Sequence, residues 1–92
     1  APLSEWYGVY VDGEGRVVGL LLQDNNLQGT MPRKLGTLAT LQTLDLSKNG
    51  LTGSIPKELG GLVTLEGLDL DNNKLTGAIP KELGRLVTLR LL

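Results

Sequence analysis

The side chains of this chain with the greatest chemical capacity are its carboxylates. Asp45, Asp69 and Asp71 lie among paired leucines in segments of one pattern, so a metal site or an acidic binding strip is the chemistry to test first. The run Asp69-Leu70-Asp71-Asn72-Asn73 opens like a calcium loop, which then requires Gly at its sixth position and Glu at its twelfth. Lys74 and Pro80 stand there, so the loop is rejected. A metal shared by Asp45 and Asp69 across adjacent strands is outweighed by the simpler reading of two exposed carboxylates that mildly repel. No metal site is assigned. Gly13-Glu14-Gly15-Arg16-Val17-Val18-Gly19 leads into a strand rather than a helix, so it reads as a hairpin-like turn and not as a phosphate loop. Arg33-Lys34, Lys57-Glu58, Lys81-Glu82 and Arg85 mix both signs and read as a solvated face. There is no His and no Cys, which removes the usual catalytic base, the thiol nucleophile and the thiolate zinc site. The chain is expected not to be an enzyme and to carry no cofactor.

Composition points to what positions these groups. Of 92 residues, 22 are Leu, against one Trp, two Tyr and no Phe, which suggests a repeated packing unit rather than an irregular core. Nine basic and ten acidic residues give a net charge of −1, against the basic excess that a general nucleic-acid or anionic-membrane binder needs. The apolar runs Val17-Val18 and Leu20-Leu21-Leu22 are far too short to span a membrane. Without an initiator Met or a signal-peptide pattern at Ala1, the chain reads as a processed product or an excised piece.

Internal periodicity decides the architecture. The segment from Leu20 to Pro32 aligns with Leu44 to Pro56 and with Leu68 to Pro80, shifted by 24 residues each time. The frame continues through Leu35, Leu59 and Leu83, then Leu38, Leu62 and Leu86, then Leu41, Leu65 and Leu89. Each Leu-x-Leu has the period of a short strand with both leucines facing inward, and successive coils would stack these strands into a parallel sheet. Asn25, Asn49 and Asn73 fall where the chain turns away, and a buried Asn there can bond backbone groups of its own and neighbouring coils. Gly29, Gly53 and Gly77 permit a bend, and Pro32, Pro56 and Pro80 suit the first turn of a short helical return. One coil cannot bury its own leucines, so about three must stack.

The string Leu-x-Leu-x-x-Asn-x-Leu-x-Gly-x-Ile-Pro-x-x-Leu-Gly-x-Leu resembles the plant-type leucine-rich repeat, over residues 17–92. Residues 1–16, with Trp6-Tyr7-Gly8-Val9 and then Gly15-Arg16-Val17, resemble the amino-terminal cap that precedes such repeats. The resemblance implies an α/β repeat fold: a right-handed solenoid with a parallel concave β-sheet, a second shorter sheet, and short helical or 3-10 convex segments. It implies about three and a half repeats, the last breaking off at Leu92 with no polar closing cap. Secreted plant members have a Cys pair in the cap, whereas here the corresponding stretch is Tyr10-Val11-Asp12. No Asn-x-Ser/Thr acceptor occurs either. Both features lean toward an intracellular protein and toward the Cys-free repeats of brown algae and related protists.

The resemblance also implies binding of a protein or peptide through the concave face. The residues alternating with the inward leucines would form it: Gly19, Leu21 and Gln23, then Thr43, Asp45 and Ser47, then Gly67, Asp69 and Asp71, then Leu91. Trp6, Asn25, Asn49 and Asn73 are expected to be structural, with Trp6 covering the apolar end of the first coil near Val9, Val17 or Leu22. The alternative is a structural spacer, or a fragment of a larger receptor-like or GTPase-linked signalling protein with no ligand of its own. Leu86, Leu89 and Leu92 hold inward positions with no following coil, which adds an expectation of self-association through the carboxy-terminal end.

Overall fold

The computed structural model describes residues 8–85 and 90–91. Among them are eight strands: β1 (Val9–Val11), β2 (Val17–Leu21), β3 (Gln28–Thr30), β4 (Thr43–Asp45), β5 (Gly50–Gly53), β6 (Gly67–Asp69), β7 (Lys74–Leu75) and β8 (Arg90–Leu91). Three 3-10 segments, Arg33–Thr37, Lys57–Gly61 and Lys81–Arg85, run between them. The strands form one sheet in the order β1-β2-β4-β6-β8 and a second in the order β3-β5-β7. All pairings are parallel except β1 with β2.

The register of the large sheet is the 24-residue frame itself: Leu20 pairs with Leu44, and Leu44 with Leu68. Each coil hydrogen-bonds the next beyond the strand ends as well, through Leu22 N to Asp45 O at 2.8 Å and Leu46 N to Asp69 O at 2.9 Å. Leu41, Leu44, Leu59, Leu62, Leu65 and Leu68 are at most 1% exposed. The core is therefore a column of leucines with one member of each set per coil, closed by stacking.

The return leg is short because its chemistry stops it. Pro32 and Pro56 stand just before their 3-10 segments with φ −66° and −67° and extended ψ. Their carbonyls accept from Leu35 N at 3.1 Å and Leu59 N at 3.2 Å, so the proline sets the entry without needing an N–H. Successive returns then pack almost backbone to backbone. A Cβ on Gly36 would lie 2.2 Å from Glu58 O, and one on Gly60 would lie 2.7 Å from Glu82 O. The spacing of the convex segments is thus set by the absence of a side chain at these two positions.

Two further columns tie the coils together. Asn49 Nδ2 donates to the carbonyls of Leu22 (3.1 Å), Leu46 (3.0 Å) and Ser47 (3.0 Å). Its Oδ1 accepts from Asn25 N and Leu27 N, both at 3.0 Å. Asn73 repeats the arrangement, donating to Leu46 O and Leu70 O and accepting from Leu51 N. Thr40 and Thr64 form the second column, with Oγ1 donating to Val17 O at 2.7 Å and to Leu41 O at 2.8 Å.

The frame slips at β8. Gly67 pairs with Arg90 and Leu68 with Leu91, one residue short of 24. Leu91 is thereby set beside Leu68 rather than beside Gly67, and Arg90 takes the place beside Gly67. Trp6, and Leu86, Leu89 and Leu92 at the carboxy-terminal end, lie outside the described residues.

Candidate functional site: the outward face of the parallel sheet

The outward face of the large sheet is built by the residues that alternate with the buried leucines. Leu20 and Leu22 pack against the core. Leu21 between them points the other way and is half-buried. Across the sheet, Leu21, Asp45 and Asp69 share one register row, and Gly19, Thr43 and Gly67 share the row beside it. Five strands at about 4.8 Å spacing make the face roughly 19 Å wide. A Cβ on Gly67 would meet nothing within 4 Å, so the floor there is open.

The carboxylates divide their work. Asp45 Oδ1 accepts from Ser47 N at 3.0 Å and from Ser47 Oγ at 2.6 Å. Asp69 Oδ1 accepts from Asp71 N at 3.1 Å. Each therefore holds the turn that follows its strand with one oxygen, the local bonding habit of Asp. Ser47 is only 7% exposed and is spent on Asp45, so it belongs to the support of the strip rather than to its contact surface. Gln23, Thr43 and Asp71 are exposed. The ion pairs among the described residues lie elsewhere, Asp12 and Glu14 with Arg16, which leaves Asp45, Asp69 and Asp71 without a cation partner in that set. Among the described residues no cluster of three or more His, Cys, Asp or Glu side chains forms that could hold a metal.

The structure adds a residue that the sequence reading left out. Tyr10 pairs with Gly19 across the β1–β2 hairpin and lies over it, with Tyr10 Cβ 3.4 Å from where a Cβ on Gly19 would be. Directly opposed residues share a face, so Tyr10 stands on the outward side at 54% exposure. The signal was present: Val-Tyr-Val alternates, and the turn at Gly13–Arg16 folds it onto Val-Gly-Leu. Of the structural asparagines, Asn49 and Asn73 bridge coils, while Asn25 is exposed and its amide donates only to Gln23 O at 3.1 Å among the described bonds.

The sequence of residues 16–75, which builds these stacked coils in a 24-residue frame, matches the leucine rich repeat family. The chain is a leucine rich repeat protein. Phytosulfokine receptor 2 of Arabidopsis thaliana is 43% identical over 47 residues, spanning 48% of this repeat chain and 4% of the receptor. A chain of the BIR3–SERK2 complex from Arabidopsis thaliana superposes with a TM-score of 0.90 at 38% identity, over 100% of this chain and 50% of that one. A chain from the Arabidopsis receptor kinase HAESA in complex with the peptide hormone IDA and the co-receptor SERK1 gives a TM-score of 0.89 at 34% identity, over 100% of this chain and 16% of that one. The leucine rich repeat chain thus spans half the length, or less, of these relatives. These likenesses make its repeats plant-type. The family is a repeat scaffold rather than a catalytic fold, and the chain is not an enzyme. None of the described helices is long and apolar enough to cross a membrane.

Proposed function

We propose that this chain is a protein-interaction module whose outward sheet face receives a protein or peptide partner, with cationic side chains of the partner over the aspartate row. The observation that carries the reading is the uncovered face itself. An exposed aromatic (Tyr10), a half-buried Leu21 and three carboxylates without a described cation partner sit on a floor fixed by inter-coil hydrogen bonds. Aromatic and apolar anchors beside complementary charge are what interfaces use for affinity and register. The relatives solved with a peptide hormone or a co-receptor support the same class of partner. A face this narrow supplies less than a standard interface, so the module would act as one part of a longer contact surface. Residues 1–16 as a cap, 17–92 as about three and a half repeats of the Cys-free style, and a place within a larger signalling protein complete the proposal.

The test is selection of peptides from a random display library on the immobilised chain. Binders rich in Lys or Arg that are lost with Tyr10→Ser/Asp71→Lys, yet kept with Lys57→Glu/Lys81→Glu on the convex side, support it. Equal loss with both variants, or no binder at all, favours the spacer reading. Sedimentation of the same variants reads any self-association, which the proposal assigns to the carboxy-terminal end.

A further inference from the structure

Asn49 is followed by Gly50, the one Asn-Gly pair in the chain; the other asparagines precede Asn26, Leu27, Asn73 and Lys74. In such a pair the backbone nitrogen of the glycine can attack the asparagine Cγ. A Cγ–N bond forms, the Cγ–Nδ2 bond breaks, ammonia leaves, and a five-membered imide results. Water then opens the ring at either carbonyl, giving aspartate or isoaspartate. One water enters and one ammonia departs, with no oxidant or reductant. Glycine favours the attack because it has no Cβ to crowd the approaching nitrogen and because its backbone turns freely.

The folded structure withholds both reactants. Gly50 N donates to Leu27 O at 2.8 Å, so the nucleophile is engaged in the β3–β5 side of the stack. The Asn49 amide is held by five contacts, three donated and two accepted, from the first coil and from its own. Attack requires the nitrogen to leave Leu27 and the amide to rotate out of that cage, which separates the coils. The product does not fit back. A carboxylate in place of the Asn49 amide would set oxygen against the carbonyls of Leu22, Leu46 and Ser47, three acceptors with no donor between them. Isoaspartate would in addition insert a methylene into the backbone and break the 24-residue register on which stacking depends.

We propose that Asn49-Gly50 is a fold-gated modification site, inert while the coils are stacked and converted by water when they open, after which the chain cannot restack. Exposure to unfolding is thereby recorded covalently at one residue. The full chain, incubated in mildly alkaline buffer with and without urea and mapped by mass spectrometry, tests this. Asn49 should be the first site to gain the mass of OH in place of NH2 in urea. Without urea its conversion should be at least about tenfold slower, since a reaction of the open form follows that form's population. Equal rates in the two conditions, or earlier conversion at Asn25, Asn26, Asn72 or Asn73 in urea, overturns the gating. The second half is read with Asn49→Asp beside Asn25→Asp: the first should lose the cooperative unfolding transition and the second should keep it. A wild-type transition for Asn49→Asp overturns the claim that the product cannot restack.

Discussion

The first and second coils carry the same framework leucines, asparagine and proline at the same places and differ in what surrounds them. Leu22, Leu27, Leu35 and Leu38 are half-buried, whereas their counterparts one repeat later, Leu46, Leu51, Leu59 and Leu62, are 5%, 4%, 0% and 0% exposed. Asn25 makes one local amide bond among those described, and Asn49 makes five across two coils. The difference is position in the stack. A residue of a solenoid is completed by the neighbouring coil, so identical side chains contribute unequally to stability. Met31 is the exception that fits the rule. At 5% exposure it is more buried than its counterpart Ile55, as an unbranched thioether can bend into the less filled end.

The largest effect expected from this comparison is in the leucines. Leu59→Ala leaves a cavity closed on all sides and should cost about 3–5 kcal/mol. Leu35→Ala, one repeat earlier, should cost about 1–2 kcal/mol, because only part of the side chain has left water. Denaturant midpoints of the two variants check this, and equal losses would mean that the first coil is as fully enclosed as the second. The asparagines come next. Asn49→Leu should cost about 1–3 kcal/mol, since two N–H groups and three carbonyls lose their partner inside the stack. Asn25→Leu should shift the midpoint by less than about 1 kcal/mol, as water replaces its single exposed bond.

The repeat fold was legible because its period is carried by residues whose roles are local: Leu-x-Leu for the strands, Pro for entry to the return, Asn at the turn. The convex spacing was half legible. Pro32 and Pro56 mark a short return in the sequence, but only the structure shows that Gly36 and Gly60 sit against the carbonyls of Glu58 and Glu82. The face of a residue followed from alternation wherever the frame held. Alternation gave no warning of β8, where the register is one residue short and nothing in the leucine spacing announces the slip. Ser47 was read as a contact residue by alternation alone. It is buried, and its hydroxyl bonds Asp45 two residues back, a side-chain preference that a period of two does not encode. Tyr10 was missed for the opposite reason: its place depends on the hairpin fold-back and lies outside the 24-residue frame.

The smallest expected effect lies at the edge where the comparison begins. The first coil has β1 rather than a preceding parallel strand beside it, and the turn between β1 and β2 is held by Asp12. Its Oδ1 accepts from Glu14 N at 2.9 Å and Arg16 N at 3.0 Å, and its Oδ2 pairs with Arg16 Nε at 2.8 Å. The backbone N–H groups of Arg16 and Glu14, and then the Arg16 side chain, hold the Asp12 carboxyl below its ordinary value of 3.8. A carboxylate depressed on folding contributes stability above its unfolded pKa and loses it as pH falls through the folded one. The gap in midpoint between the wild type and Asp12→Asn should therefore be flat from neutral pH down toward 3.8 and close on further acidification. Because the turn is exposed, the gap should be small and should shrink with added salt. A gap that persists unchanged in strong acid would show that Asp12 holds the turn by hydrogen-bond geometry alone. In that case the charge of Arg16 would contribute nothing to the first coil's edge.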